Sequence, residues 1–490
     1  MSELRRAVFL IFTVIYLIIA PLTVLYALGY IVSPSHQTLL QTGLVSLDSE
    51  PARAVVSLNG SLTSGKTPLV LQQLKPGGYD IQIRLPGRHL WQKHLEIKPN
   101  LALRFENILL FPLKFEPEVL TDFPVAKMWH VLGGRYLVAL SQAGASGFYL
   151  LDLDEKKPKP VYAALGGPAE TIEQLHLHPK GDRAIVALRK EKSLRLVYVK
   201  FEEPGEVKEL GSLLQEPVNH LTWDRNQKDL LFYLQGDTLG RIHLEKGLVD
   251  PSPAKGVKSF GLYNDRIFAL DEKNRFLELT EKGKLVNVLL DNPTKARLIF
   301  GGQNQETFSI FFLPSELLFF PFGHPLALFL SEKGRLFSNR LPYFLDEGVS
   351  ELALGVSHRR IAYRKGNELW VVDFEREREK SFFESGPTPR KIYEGKEALG
   401  NLFWFYKDQY LLFSEGNRVL VQDFEEGGNA IELLEISKVM KKVMLDSKEG
   451  FLYFVPPDQG RLVRVKLYEK ESLLPHAMAE LVSSNQNHNS

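Results

Sequence analysis

The chain has 490 residues, with 60 Lys and Arg set against 59 Asp and Glu, and no Cys. At roughly 150 residues per domain this is about three folding units, with ample volume for hydrophobic cores. The net charge of +1 argues against a nucleic-acid partner, and the lack of Cys excludes disulfides, thiolate metal sites, iron–sulfur clusters and Cys nucleophiles.

Residues 7–32 read AVFLIFTVIYLIIAPLTVLYALGYIV, and no Asp, Glu, Lys or Arg occurs between Arg6 and Asp48. As a helix such a stretch is about 39 Å long, enough to cross a hydrocarbon core of about 30 Å with tilt. Pro21 disfavours a soluble helix but is tolerated in a membrane, where it predicts a kink, and Tyr26 and Tyr30 suit an interface. Arg5 and Arg6 precede the span and the next Lys or Arg is Arg53. The positive-inside rule therefore predicts a single-pass transmembrane helix with residues 1–6 cytoplasmic and the bulk of the chain extracytoplasmic. A cleaved signal peptide is the competing reading, with Ala27-Leu28-Gly29 as a small-x-small site, but its apolar core of about twenty residues exceeds the usual length.

From 43 to 112 the pattern changes to short alternating segments separated by turn residues. Ala54-Val55-Val56-Ser57-Leu58 runs into Asn59-Gly60, a two-residue hairpin signal, and Pro76-Gly77-Gly78 turns into a strand from Tyr79 to Leu85. In that strand Tyr79, Ile81, Ile83 and Leu85 share one face, and Asp80, Gln82 and Arg84 share the other. The segment predicts a small β-sandwich of five to seven strands.

The same residues resemble the PEGA domain. The pattern comprises a Ser-x-Pro start at Ser49 and Pro51, a small-residue strand from Ala54, the turn Asn59-Gly60, then Gly65-Lys66-Thr67-Pro68, the turn Pro76-Gly77, and Trp91 after Gly87. The tetrapeptide that gives the family its name reads Pro51-Ala52-Arg53-Ala54 here. The resemblance implies an extracytoplasmic sandwich of cell-envelope proteins, often membrane-tethered and without catalytic residues of its own. The matching Gly and Pro residues are accounted for by turns alone. Asn59-Gly60-Ser61 also spells a glycosylation sequon, but within a tight turn.

Residues 115–470 repeat a β unit. Its clearest mark is a strand ending in Asp followed by an apolar residue, as at Asp152-Leu153, Asp373-Phe374 and Asp423-Phe424, each preceded by a buried-type apolar run at 136–140, 360–363 and 410–413. Further copies lie at 184–199, 230–244, 266–279, 325–340 and 450–467. Starts fall about 40 to 50 residues apart, the length of one four-stranded blade, which predicts a β-propeller of seven or eight blades. The pieces from Leu177 to Arg183 and from Leu221 to Asp224 resemble TolB-like and WD40-like blades, though the Gly-His and Trp-Asp pairs of a true WD40 protein are missing.

Several groups invite a chemical role. His176 and His178 alternate along a strand as a metal pair would, but they begin a blade turn and no carboxylate motif flanks them. Asp152 and Asp154 lack a calcium-loop array, and Asp152 belongs to the strand-end repeat, for which a structural role is expected. The alternating charges at 375–380 fit a solvated edge. Phe403, Trp404, Phe405 and Tyr406, with Phe311, Phe312, Phe319, Phe320 and Phe322, are dense enough for a binding face but fit core packing between blades better. The polar tail 481–490 reads as disordered.

No hydrolase elbow, metalloprotease motif, P-loop or dinucleotide fingerprint occurs, and no catalytic, cofactor or metal residue is assigned. The sequence thus predicts a mainly β, membrane-anchored, non-catalytic envelope protein whose propeller is a platform for a protein or glycan partner. The alternative is a propeller enzyme, a hydrolase or lyase acting on envelope glycans from a central-channel site. A third reading is an assembly factor that binds by adding a strand to a sheet edge.

Overall fold

The computed structural model describes residues 2–27, 30–33, 38–130 and most of 136–468, the longest intervening stretches being 291–307, 314–325 and 375–387. The chain divides into two compact units, the first carrying Met1–Phe115 and the second most of the rest.

The first unit opens with α1 (Ser2–Ala27). Its segment Val8–Leu25 is long and apolar enough to cross a membrane, and large apolar side chains from Val8 to Ile19 are exposed. The hydroxyls of Thr13 and Thr23 donate back to the carbonyls of Phe9 and Ile19, which satisfies both groups without water. The expected helix over 7–32 is corrected at its end. The helix stops at Ala27, and β1 (Tyr30–Ser33) pairs antiparallel with β2 (Thr38–Gln41). An aromatic followed by two β-branched residues at Tyr30-Ile31-Val32 suits a strand better than a helix end.

Seven strands follow: β3 (Gly43–Glu50), β4 (Val55–Leu58), β5 (Ser61–Lys66), β6 (Leu69–Leu74), β7 (Gly77–Arg84), β8 (Trp91–Ile97) and β9 (Ala102–Leu109). They form two sheets, ordered β6-β3-β9 and β5-β4-β7-β8. The pairing of β3 with β9 is parallel and the rest are antiparallel. Alternation places Val45 and Leu47 of one sheet against Val56, Ile81, Ile83, Trp91 and Ile97 of the other, with Tyr79 and Leu85 at the margin of the same core.

The second unit begins with β10 (Glu118–His130), a strand that serves two sheets. Glu118 and Val119 pair with Arg464 and Val463; the register then breaks before Pro124, and Val125 to His130 pair with strand Tyr136–Ser141. Proline offers no N–H to a ladder, so the break falls where one donor is missing in any case. Tyr136–Ser141, Phe148–Asp152 and Pro158–Tyr162 complete the first sheet. Meanders of four strands then cover Thr171–Leu177 to Val207–Glu209, His220–Trp223 to Leu248–Ala254, and Val257–Tyr263 to Leu285–Leu290. Among the described residues three strands follow, from Phe308–Leu313 to Leu336–Ser338. Four-stranded meanders resume over Val349–Gly355 to Arg390–Glu394 and Leu399–Phe405 to Ile431–Glu435. The last sheet, Met444–Asp446, Phe451–Phe454 and Arg461–Lys466, takes the first half of β10 as its outer strand.

Both faces of these sheets are apolar, so each stacks on its neighbour. Val138 and Leu150 of the first sheet pack with Val186 and Val197 of the second. Ile185 and Tyr198 of the second pack with Trp223 and Leu231 of the third, and Leu137 and Leu151 of the first meet Tyr453 and Leu462 of the last. Each such side chain contributes about 1.5–3 kcal/mol when fully buried. Stacked meanders with the last sheet returned to the first, closed by a strand from the start of the unit, make this a β-propeller.

Candidate functional site

Apart from β10, the first strand of each sheet in the ring bonds to one neighbour only, and first strands of successive sheets touch: β10 meets Thr171–Leu177, Val257–Tyr263 meets Phe308–Leu313, and Val349–Gly355 meets Leu399–Phe405. They therefore line the axis of the ring. Polar side chains on or beside them form the candidate site: Lys127 on β10, Glu173 and His176 on the next first strand, His220 and Thr222 on the third, Asn401 on Leu399–Phe405, and Lys442 just before Met444–Asp446.

The acids on these first strands, Glu173 and, on Val349–Gly355, Glu351, are already engaged. Glu173 accepts two hydrogen bonds from Arg189, both 2.8 Å, and that pairing holds its carboxyl below the usual range. Glu351 pairs with Arg364 at 3.4 Å and accepts the Leu402 N–H at 3.0 Å. The imidazoles are pushed toward the neutral form. His176 Nε2 lies 3.2 Å from Gln174 Oε1, and His220 Nε2 lies 3.0 Å from Thr222 Oγ1. Burial lowers the pKa of both, and for His176 the neighbouring His220 adds to it. Lys442 is lowered as well, first by burial and then by the charge of Lys127. Solvent reaches Lys442 and His220, yet surrounding atoms desolvate them; both conditions hold together on the wall of a concavity.

A repeated clamp fixes the geometry between sheets. Trp223 Nε1 donates to the His176 carbonyl at 3.0 Å, and Trp404 Nε1 donates to the Ala353 carbonyl at 3.2 Å. Each indole sits on a first strand and reaches the first strand of the preceding sheet. A second repeat lies one strand outward. Arg183 and Arg360, each the first residue of a second strand, donate to the next sheet's turn, at Asp229 Oδ1 and at the Asp408 carbonyl 3.0 Å away.

The residues singled out from sequence separate into distinct places. His178 stands past the end of its strand, fully buried in the turn. Its Nδ1 accepts the Lys180 N–H at 3.0 Å, which leaves the proton on Nε2, and its ring packs T-shaped on Trp223 with centroids 5.0 Å apart. Among the described residues no group of three or more metal-binding side chains occurs. Asp152, Asp373 and Asp423 occupy one equivalent position, the last residue of a third strand opposite the first residue of the second, facing Tyr136, Arg360 and Tyr410. Asp373 also accepts from Arg360 Nε at 3.0 Å. Trp404, Phe405 and Tyr406 are buried in the packing between sheets.

In the sandwich, the Thr67 hydroxyl joins Ser49 Oγ at 2.6 Å and accepts the Ala54 N–H at 2.9 Å, while Ser49 Oγ donates to the Pro51 carbonyl at 2.9 Å. Pro51 and Pro68 both follow cis peptide bonds. Asn59 and Gly60 have φ of 49° and 79°, the left-handed pair that a tight hairpin needs, and Asn59 Oδ1 accepts the Asp80 N–H at 2.8 Å. Gly77 has a positive φ beside Pro76, Gly65 lies against Leu69, and Trp91 is in the core. These positions hold turns together and form no cleft chemistry. Arg5 is exposed on α1. The side chains of Arg6, Phe311 and Phe312, together with Asp154, Phe319, Phe320, Phe322, the charged run 375–380 and the tail 481–490, lie outside the described residues.

Sequence reasoning missed Lys127, Lys442, Asn401, His220 and the arginine clamp. The signal for Trp223 was present in its strand-end setting, whereas the axial lysines belong to no motif and are assembled only by ring closure.

Residues 42–109 match the PEGA domain family model. No curated protein matches the chain in sequence. Among solved structures, the β-propeller domain of Cps50 (Swd1) from Myceliophteria thermophila is 10% identical, with 72% of this chain and 100% of that one covered and a TM-score of 0.39. Sqt1 from Saccharomyces cerevisiae is 11% identical over 73% of this chain and 98% of that one, with a TM-score of 0.46. PorZ of Porphyromonas gingivalis, an essential bacterial surface component of the type-IX secretion system, is 12% identical, with a TM-score of 0.35. The match covers 69% of this chain and 42% of PorZ.

Proposed function

We propose that this is a membrane-anchored, non-catalytic scaffold protein of the cell envelope, held by α1 with its N-terminus cytoplasmic. In this reading the PEGA domain and an eight-bladed ring lie outside the membrane, and the ring binds a protein partner through its axial face. The observation that carries the proposal is the state of the axial side chains. Glu173 and Glu351 are bound by arginines, and His176 and His220 are hydrogen-bonded to neighbours on their own strands. Groups so committed support recognition rather than general acid–base work, which needs a free carboxyl or imidazole aimed at a substrate. The apolar length of α1, with Arg5 near its start, supports the anchor.

The test uses the full chain in detergent as bait for envelope extracts, beside a His176→Asn/His220→Asn variant, with alkaline extraction of membranes run in parallel. A partner held by the parent and released by the variant is expected, as is a chain that stays in the extracted membrane. Recovery of the same proteins with both baits would sink the axial platform, and release of the chain by alkali would sink the anchor.

A further inference from the structure

We propose that two copies of the chain, anchored in one membrane, pair edge to edge through strand Leu285–Leu290, antiparallel about a two-fold axis at Asn287. This is the outer strand of the sheet that begins at Val257–Tyr263, and among the described residues it bonds to Phe276–Thr280 and to no second strand. An open edge offers a row of backbone donors and acceptors to any extended chain, and proteins guard such edges with proline, charge or brevity. The outer strands of five other sheets are so guarded. Pro158–Tyr162 and Leu248–Ala254 each contain two prolines, Arg390–Glu394 and Ile431–Glu435 carry charged side chains, and Val207–Glu209 is three residues long. Leu285–Leu290 reads LVNVLL, with neither a charge nor a proline. Bulges leave its Val286 and Leu289 without partners on Phe276–Thr280, but three of the guarded strands have bulges as well and carry their prolines or charges besides.

The sequence of the strand selects a second copy as its occupant. Leu285-Val286-Asn287-Val288-Leu289 reads the same in both directions. An antiparallel pair centred on Asn287 therefore sets Leu285 opposite Leu289 and Val286 opposite Val288, with Asn287 opposite its own copy, which is the self-complementary match a two-fold interface requires. No like charges meet across such a pair. Leu285, Val286 and Val288 are 58%, 39% and 36% exposed, so their apolar surface is open to a partner. Asn287 Nδ2 donates to Glu278 Oε2 at 2.9 Å, which ties the centre of the strand to its own sheet. Six residues of strand are about 20 Å long, and one such ladder covers less than the roughly 1,200–2,000 Å² of a stable interface. The pair therefore forms where α1 confines both chains to one bilayer and raises their effective concentration, and a diluted chain without α1 stays single. The inference goes beyond the axial platform and rests on the anchor of that reading.

The experiment is disulfide trapping of the full chain in membranes, which the lack of native Cys makes clean. Single-Cys variants are treated with a mild oxidant and dimers are read on non-reducing gels, with melting temperatures near the parent's confirming that each variant is folded. Asn287→Cys should give several-fold more dimer than Leu248→Cys, a control that is also 58% exposed but lies on a guarded strand. Val286→Cys mixed with Val288→Cys should cross-link more than either alone. In the Asn287→Cys background, Val286→Lys/Val288→Lys should lower the yield several-fold, and Val286→Lys/Val288→Glu should restore it, because each lysine then faces the other copy's glutamate. Equal yields at 287 and 248, or a yield indifferent to the paired lysines, overturn the proposal. A cross-link from 287 to a different protein in place of the dimer also overturns it and gives the edge to a foreign strand. A chain that resists alkaline extraction yet gives no dimer removes the pairing and leaves the anchor standing; a chain released by alkali that still cross-links at 287 when concentrated does the reverse.

Discussion

The indole Nε1 of Trp223 donates to the carbonyl of His176 across two neighbouring sheets, 3.0 Å apart, and Trp404 repeats the bond to Ala353 in a later pair of sheets. The bond joins first strand to first strand, so it fixes the spacing of the axial side chains as well as the stacking of the blades. Trp223→Phe keeps most of the buried ring and deletes the donor. It should cost about 1–2 kcal/mol, with the His176 carbonyl left unpaired. Urea unfolding checks this, and Trp223→Ala should cost about 3–5 kcal/mol because a cavity is added.

Histidine protonation should destabilise the ring in mild acid. His178 has an ordinary pKa of 6.5, and in the folded chain burial pushes it down, helped by Arg183, Lys180 and Lys228 and opposed by Asp182. His176 and His220 move the same way. A group whose folded pKa is depressed binds more protons when unfolded, so its stabilisation is complete above about 6.5 and lost as pH falls below it. The melting temperature should therefore be lower at about pH 5.5 than at about pH 7.5, with a smaller difference in His178→Asn. An unchanged pH slope in that variant would contradict the assignment.

Gly240 sits opposite Tyr233 in adjacent strands, and a Cβ there would lie 2.2 Å from the buried tyrosine ring. Gly240→Ala should destabilise by about 1–3 kcal/mol through overpacking. Adding Tyr233→Leu should recover part of that loss, a coupling that a double-mutant cycle measures.

The Thr67 hydroxyl accepts the Ala54 N–H and also binds Ser49 Oγ, inside the sandwich. Thr67→Val keeps the shape and strands both groups, at a cost of about 1–3 kcal/mol, whereas Thr67→Ser should cost less. Hydrogen exchange at Ala54 should speed up in the valine variant and stay close to the parent rate in the serine variant.

Ring closure makes truncation sharply position-dependent. Thr121 Oγ1 accepts the Leu462 N–H at 2.9 Å and Glu118 binds Arg464 Nε at 2.8 Å. A fragment that begins at 116 should fold and stay monomeric. One that begins at 125 leaves strand Arg461–Lys466 with a bare edge and should aggregate, as gel filtration will reveal.

Much of the fold is legible in sequence because it rests on local rules. Alternation from Tyr79 to Leu85, the Asn59-Gly60 turn and the strand-end Asp152, Asp373 and Asp423 are each decided within a few residues, and the structure gives them the turns and registers those rules imply. The end of α1 was misplaced because hydrophobicity alone does not separate a membrane helix from a strand at Tyr30-Ile31-Val32. The candidate site was opaque for a different reason. Lys127 and Lys442 are 315 positions apart, that is 442 minus 127, and only the pairing of β10 with Arg461–Lys466 brings their strands to adjacent sheets.

The double duty of β10 also sets the order in which the ring can be made. The strand emerges early in synthesis, yet the partners of its first part lie at Arg461–Lys466, on the last strand of the ring to appear. Contacts of that sequence separation are slow to form, so a nearly complete stack must wait with one sheet unfinished at each end. Tethering the early end at a membrane would hold it in place during that wait, and would make the final pairing a search within one chain rather than among neighbours.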